Sequence, residues 1–132
     1  MLYIDSNVFV YAALNTEELG DRARLLLSRV QQGKEQAVTS ALAFDELVWA
    51  VKKHRSMEDA VSAGEAFLNF PNLKLVVVNG DLLVSALNLI KKYRLDPRDA
   101  IHAATAVMEK AETFVSTDSH FDKIKELKRK PL

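Results

Sequence analysis

Short apolar segments alternate with amphipathic segments along the chain, and this alternation restricts the fold more than any other feature. The apolar segments have the length and composition of β-strands, and the amphipathic ones have the periodicity of α-helices. The predicted strands are residues 2–4, 36–39, 73–78 and 112–116. Residues 73–78 form a nearly continuous apolar, β-branched run, which is typical of a strand buried on both faces.

Capping residues and apolar stripes place helices between these strands. Asp5-Ser6-Asn7 forms the cap that opens a helix through Val8 to Leu14, and Asp96 followed by Pro97 opens another. Gly33 and Pro71 follow the ends of two more. The remaining predicted helices are residues 18–31, a segment after Thr39-Ser40 with the stripe Phe44, Leu47, Val48 and Val51, residues 57–70, a segment from the turn at 79–81 to Tyr93, and residues 120–127.

Strands that alternate with helices predict a parallel sheet covered by helices on both faces. We therefore expect an α/β fold, a three-layer α/β/α sandwich with a central parallel sheet of about four to five strands. The chain has 132 residues, of which 48% are apolar, enough for one compact core and too little for two ordinary domains. The expectation is a single domain over residues 1–132.

Composition excludes several classes of protein. The chain has no cysteine, so disulfides and thiolate metal sites are excluded. Met1 leads directly into an apolar strand, and no apolar run approaches the roughly 20 residues that span a bilayer. We expect a cytoplasmic protein with no membrane partner. A net charge of zero counts against a general nucleic-acid binder, although basic residues gather at 52–55, 91–94 and 123–130.

Four acidic residues far apart in the sequence lie at the edges of the predicted elements: Asp5, Glu46, Asp99 and Asp118. Asp5 and Asp118 follow the first and last strands, whose carboxyl ends meet at one edge of a parallel sheet. Glu46 and Asp99 belong to helices that pack nearby. Carboxylates that converge repel one another unless a cation joins them, which predicts a divalent-metal site.

Helix capping is the alternative explanation for three of these acids. Asp5 and Asp118 can each cap the helix that follows, and Asp99 lies in a first helical turn that favours an acid. Capping does not explain Glu46, which lies well inside its helix. Successive residues of a helix are rotated by roughly 100° about its axis. Glu46 therefore lies at the border of the apolar face of its helix, whereas Asp45 lies farther round from that face, so Glu46 is the preferred ligand.

The donor set predicts the chemistry. Oxygen ligands suit Mg²⁺ or Mn²⁺, and carboxylates that hold such ions can activate water and neutralise a phosphodiester under attack. His54, His102 and His120 follow no metal-ligand spacing and are interpreted as surface or helix-end residues. The chain has no glycine-rich phosphate loop and no serine or cysteine in a nucleophile motif.

Four segments, in order, resemble the successive motifs of PIN domains, most closely the small single-domain type of the VapC toxins. The segments are Leu2-Tyr3-Ile4-Asp5-Ser6-Asn7-Val8, Ser40-Ala41-Leu42-Ala43-Phe44-Asp45-Glu46-Leu47, Asp99-Ala100-Ile101-His102-Ala103-Ala104-Thr105-Ala106 and Ser116-Thr117-Asp118-Ser119-His120-Phe121. The resemblance covers essentially the whole chain. It differs at His120, where many relatives carry another acid or a basic residue.

This resemblance implies a Mg²⁺- or Mn²⁺-dependent endoribonuclease that is the toxin of a type II toxin–antitoxin pair. Its acidic centre would be Asp5, Glu46, Asp99 and Asp118, which would also hold the metal, with Asn7 and Thr117 as polar supporting residues. RNA would be the substrate, and a cognate antitoxin would bind the protein. The resemblance also implies a homodimer, for which we expect an apolar surface around Trp49, Phe67 and Phe70.

Three other functions stay open on the sequence. A phospho-acceptor signalling domain has similar size and an acidic pocket, but it needs paired acids after the first strand and a lysine after the last, which Asp5-Ser6-Asn7 and Thr117-Asp118 do not provide. A catalytically idle PIN-like interaction module would have no need to keep all four acids. A housekeeping RNA-processing nuclease or a DNA-cleaving nuclease would use the same acidic centre as the toxin.

Overall fold

A central sheet of five parallel strands organises the computed structural model, which describes residues 1–132. The strand order across the sheet is β3-β2-β1-β4-β5. Each neighbouring pair is parallel, with Tyr3 in register with Val38 on one side and with Phe114 on the other. The strands are β1 Leu2–Ile4, β2 Ala37–Ser40, β3 Leu73–Val76, β4 Thr113–Val115 and β5 Arg129–Lys130.

Six α-helices and one 3₁₀ turn connect the strands. Side-chain caps start several of them: Ser56 accepts a bond from the amide of Asp59, and Asn79 accepts one from the amide of Leu82. The helices are α1 Ser6–Leu14, α2 Glu18–Gln31, α3 Leu42–His54, α4 Met57–Leu68, α5 Gly80–Tyr93 and α6 Pro97–Met108, and the 3₁₀ turn is Ser119–Lys123. No helix combines the length and the apolar character needed to cross a membrane.

Alternation of side chains along each strand divides the core into two halves. Tyr3 and Phe114 face one side of the sheet, where they pack with residues of α5 and α6. Ile4 and Val115 face the other side and pack with residues of α1 to α4. Helices therefore cover both faces of a parallel sheet, which confirms the predicted three-layer α/β/α sandwich.

Two predictions, one about a strand and one about a helix, are wrong at the edges of the sheet. Residues 73–78 were expected to be buried on both faces, but β3 ends at Val76, lies at the sheet edge and leaves Lys74 exposed. The helix expected over 120–127 is only the short turn Ser119–Lys123. The chain after it pairs with β4 as β5, and the amide of Phe114 donates to the carbonyl of Lys128 at 2.9 Å. Two basic residues in a charged tail carry no strand pattern.

Phe67 also lies elsewhere than expected. It was predicted to belong to an exposed apolar surface with Trp49 and Phe70, but only 3% of it is exposed. Its ring packs edge-on against Phe9 at a centroid distance of 5.0 Å. Phe70 is partly buried against the same half of the core, and Trp49 alone of the three is exposed. The periodicity of α4 identified an apolar face, and the fold turns that face inward.

The order of the strands fixes where a site can form. The chain proceeds from β1 outward through β2 to β3 and then crosses to β4 on the other side of β1. The order therefore reverses between β1 and β4, and ligands of open parallel sheets bind at the carboxyl ends of strands beside such a point. Asp5 directly follows β1 and Ser116 directly follows β4.

Candidate active site

Asp5 is a buried carboxylate whose two oxygens both have partners. It is 5% exposed. Its Oδ1 accepts a hydrogen bond from the amide of Ser6 at 2.8 Å, which caps α1, and its Oδ2 accepts one from Oγ of Ser116 at 2.7 Å. Asp5 therefore both caps α1 and lies at the point between β1 and β4 where the strand order reverses.

Ser116 connects three parts of the site, and the sequence interpretation did not select it. Its buried hydroxyl donates to Asp5 and accepts hydrogen bonds from Nδ2 of Asn7 at 3.1 Å and from the amide of Asp118 at 3.0 Å. Thr117, which was predicted as a supporting residue, is the next residue and is half-buried. A polar residue that directly follows a buried strand was the signal available for Ser116.

His102 is buried in the centre of the site, so its interpretation as a surface or helix-end residue was wrong. It lies on α6 and is 1% exposed. Its Nε2 is 2.5 Å from Oε1 of Glu46 and 3.7 Å from Oδ1 of Asp5. Because a carboxylate can only accept a hydrogen bond, Nε2 carries a proton and donates a hydrogen bond to Glu46. The other two histidines, His54 and His120, are exposed as predicted.

Tyr3 holds the opposite nitrogen of His102. The Tyr3 hydroxyl is 2.6 Å from Nδ1 of His102, and it accepts a bond from the amide of Ser40 at 3.2 Å. Burial, together with the charge of Asp5, raises the pKa of Tyr3 well above its ordinary value, so the phenol stays protonated. The Tyr3 ring also stacks on Phe114 at 5.0 Å, which fixes the position of the hydroxyl.

The pKa of His102 is raised despite its burial. Desolvation lowers it, but the hydrogen bond to Glu46 and the charges of Asp5, Glu46 and Asp99 more than offset that effect. Burial is also the main reason that the pKa of Asp5 is raised, while His102 and Ser116 lower it. The raised pKa of His102 favours its imidazolium form, whose positive charge compensates part of the negative charge around it.

Asp99 is the second acid whose pKa responds to its neighbours. It lies in the first turn of α6 and is half-buried. Its pKa is raised to about 6, first by desolvation and then by the charges of Asp118 and Asp5. Asp118 caps the 3₁₀ turn through the amide of His120 at 2.9 Å. The charges of Asp118 and Asp5 therefore act on Asp99 across the ends of β1 and β4, and the charge of Glu46 acts on Asp5.

The two neighbouring acids of α3 point in different directions. Glu46 is half-buried and reaches inward to His102, whereas Asp45 is exposed. The bond to His102 gives Glu46 a fixed position at the border of the cluster, as the helical-face argument expected of it. Asp45 has neither a hydrogen bond nor a salt bridge to place it.

The side chains match a hard cation by chemistry, although their present spacing does not enclose one. No three acid or histidine side chains converge closely enough to hold a metal ion. Oδ1 of Asn7, however, is buried without a hydrogen-bond partner, and Asn7 is anchored to Ser116 through its other amide atom. Carboxylate and amide oxygens are the ligands that Mg²⁺ and Mn²⁺ prefer.

A known protein family matches the part of the chain that contains the four motif segments. The model of the PIN domain family matches residues 2–127. The chain belongs to the PIN domain family. Because the match covers nearly the whole chain, all four predicted acids and both predicted supporting residues lie within the PIN domain. No curated protein matches the sequence itself.

Solved structures with the same fold include several VapC proteins. Mycobacterium tuberculosis VapC20, described as a sarcin–ricin loop cleaving toxin, has a TM-score of 0.78 at 14% identity, covering 95% of each chain. VapBC2 from Rickettsia felis, bound to a DNA fragment from its promoter, has a TM-score of 0.74 at 21% identity, covering 99% of this PIN domain and 98% of that chain. VapBC-1 from nontypeable Haemophilus influenzae has a TM-score of 0.69 at 19% identity, covering 99% and 98%. At these identities the likeness establishes the fold.

Proposed function

We propose that this PIN domain is a Mg²⁺- or Mn²⁺-dependent endoribonuclease and the toxin of a type II toxin–antitoxin pair. The single observation that carries the proposal is that Asp99 lies close enough to Asp5 and Asp118, at the switch point of the sheet, for their charges to raise its pKa. Folding brings together acids that repel one another, which lowers the stability of the folded protein. Such an arrangement is typical of functional sites. Membership of the PIN family is consistent with nuclease chemistry at these acids.

The four acids share one task in this proposal. Asp5, Glu46, Asp99 and Asp118 would hold the cation, with the orientation of Glu46 set by His102. A bound divalent cation supplies charge neutralisation for the phosphodiester and lowers the pKa of water. Ser116 keeps Asp5 and Asn7 in place, so the donors are ordered before substrate arrives.

An antitoxin is the proposed protein partner. Several solved structures with this fold are toxin–antitoxin assemblies, including a complex from Klebsiella pneumoniae with a TM-score of 0.69 at 19% identity. A basic side chain of the antitoxin would fit among the carboxylates, where it would pair with the charge left after His102 is satisfied. Purification of the protein from its native host should therefore yield a small bound protein, and recovery of the PIN domain alone would contradict the assignment.

We also propose a homodimer, with a different surface from the one predicted. The exposed apolar side chains on α5 are Leu83, Val84 and Leu87, at the spacing of one helical face. A second copy would cover this stripe. Light scattering at micromolar concentration should give about twice the monomer mass of 14.8 kDa, and a monomer mass would refute the dimer.

One experiment separates this proposal from the alternatives. Purified protein is incubated with defined single-stranded RNAs and with DNAs of the same sequence, in Mg²⁺, Mn²⁺ or EDTA, and the cut sites are mapped. The proposal expects metal-dependent cleavage of RNA that Asp5→Asn abolishes. Cleavage of DNA alone would indicate a DNA nuclease, and no cleavage of either would indicate an idle interaction module.

A further inference from the structure

A groove leads away from the acidic centre between α1 and α3. Its inner part is a cavity of about 720 Å³ that Glu46, Tyr11, Trp49 and Arg98 help to line. A second cavity of about 280 Å³ shares Val10 and Tyr11 with the first and continues to His54 and Arg55. Glu46 and Arg55 are nine residues apart on α3 and its cap, or about 14 Å along the helix axis. The groove is therefore longer than a single nucleobase.

Trp49 is the most unusual side chain in this groove. It is the only tryptophan in the chain, and 58% of it is exposed. No aromatic side chain stacks on it, and Nζ of Lys53 lies over its ring, 4.9 Å from the centroid. The fold leaves this large indole without a protein partner in the core. Exposed aromatic rings beside cations are the platforms on which proteins stack single-stranded bases.

The charges along the groove suit a polyanion. Arg98 lines the inner end of the groove and Arg55 lines the outer end. Both side chains are exposed, and neither forms a salt bridge. Lys53, whose Nζ lies over the Trp49 ring, adds a third cation near the middle. Asp45 is the one acid in the groove outside the predicted cluster. Cations thus follow the groove outward from the acidic centre, where a cleavable phosphate would be held.

We propose that this groove binds the single-stranded RNA beside the cleaved bond, with one base stacked on Trp49 and flanking phosphates on Arg98 and Arg55. This inference rests on the proposed nuclease function and adds the path of the substrate strand. The groove is favoured for RNA over a protein segment because a flat aromatic ring between unpaired cations matches a base between phosphates. The groove walls also carry apolar side chains such as Val10 and Tyr11, so it is the unpaired cations, and not the polarity of the walls, that favour RNA over a protein segment.

The intrinsic fluorescence of Trp49 provides a direct test, because no other tryptophan contributes to the signal. The full chain carrying Asp99→Asn is titrated in EDTA with a short, end-labelled single-stranded RNA, which then stays uncut. Labelled-RNA anisotropy reports binding, and indole quenching reports stacking. The two signals should follow the same curve, and an abasic strand of the same length should leave the fluorescence unchanged.

Variants separate stacking from charge. Trp49→Ala should weaken RNA binding roughly tenfold, whereas Trp49→Phe, which keeps an aromatic face, should weaken it less. Arg55→Ala should reduce the slope of log Kd against log salt concentration by about 1. Lys91→Ala is the matched control, since Lys91 is an exposed cation on α5, on the opposite face of the sheet. This control should bind as the parent does.

The outcomes distinguish this inference from the proposed function on which it rests. RNA that binds without quenching Trp49, with equal affinity for Trp49→Ala, would overturn the groove assignment, and cleavage of RNA by the wild type would still support the nuclease. A wild type that neither binds nor cleaves RNA in Mn²⁺ would overturn both. Circular dichroism of each variant verifies that lost binding does not reflect unfolding.

Discussion

Nε2 of His102 lies 2.5 Å from Oε1 of Glu46, although 56 positions separate the two residues in the sequence. This hydrogen bond joins α6 to α3 across the carboxyl edge of the sheet. The opposite nitrogen of His102 is fixed by Tyr3 on the central strand. One imidazole therefore ties the position of Glu46 to the core, and it does so beside the buried carboxylate of Asp5.

Replacement of His102 should affect both stability and cleavage. His102→Ala removes one buried partner each from Tyr3, Glu46 and Asp5, and we expect a loss of about 2 kcal/mol in the free energy of unfolding. Cleavage should fall because Glu46 is no longer oriented. His54→Ala, an exposed histidine at the end of α3, is the control and should change neither property. Urea unfolding at neutral pH measures the difference, and equal stability of the two variants would contradict the buried network.

The metal-free protein should become less stable as the pH rises from about 5 to about 8. The pKa values of Asp5 and His102 are raised, and that of Asp99 is raised to about 6. Each group binds its proton more tightly when folded, so the folded state holds more protons in this window and loses stability as they dissociate. Thermal melts in EDTA across the window test this. A melting temperature that rises toward pH 8 would contradict it.

Much of the fold could be predicted because its signals are local. Caps, apolar stripes and Pro97 placed the helices to within a few residues, and strands alternating with helices required a parallel sheet. The edge position of β3 was not predictable in the same way, since the β-branched residues of 73–78 suit a central strand equally well. The two-residue strand β5 depends on pairing with β4 and has no pattern of its own.

The closeness of Asp5, Asp99 and Asp118 could be predicted from their places at the edges of strands and helices, whereas the contacts of His102 and Ser116 with Asp5 could not. His102 follows Asp99 by three positions, which puts the two on neighbouring parts of one helix face. Tyr3 carries a hydroxyl group in a buried strand, and this group requires a hydrogen-bond partner. These two facts were signals for a buried histidine, but spacing alone cannot tell whether a helix face meets solvent or other side chains.

Ser116 and Thr117 give a matched pair for the supporting role. Ser116→Ala removes the donor to Asp5 and leaves Nδ2 of Asn7 unpaired, so we expect a loss of about 1 kcal/mol in unfolding free energy and a marked fall in cleavage rate. Thr117→Val changes a hydroxyl that does not contact Asp5. If Thr117→Val impaired cleavage more than Ser116→Ala, the supporting role would belong to Thr117, as the resemblance to PIN domains implies.

Removal of one repelling charge should stabilise the protein without metal. Asp99→Asn eliminates a carboxylate whose pKa is raised to about 6, and, because the group is half-buried and screened by solvent, we expect a gain of about 1 kcal/mol at pH 7. Saturating Mn²⁺ should raise the melting temperature of the wild type more than that of the variant. Thermal melts in EDTA and in Mn²⁺ decide the question. A variant that melts lower in EDTA, with equal shifts in Mn²⁺, would restore capping as the explanation for these acids.

The most direct test of the account compares two neighbouring acids on α3 in RNA cleavage. Glu46→Gln alters the carboxylate that His102 orients toward the acidic cluster, and Asp45→Asn makes the same chemical change at an exposed position. Initial rates on one defined RNA, measured in Mn²⁺ and in EDTA, should show cleavage that requires the metal. Glu46→Gln should reduce that rate by orders of magnitude, and Asp45→Asn should retain most of it. Cleavage that persists in EDTA, or a greater loss with Asp45→Asn, would contradict a metal-dependent centre at these four acids.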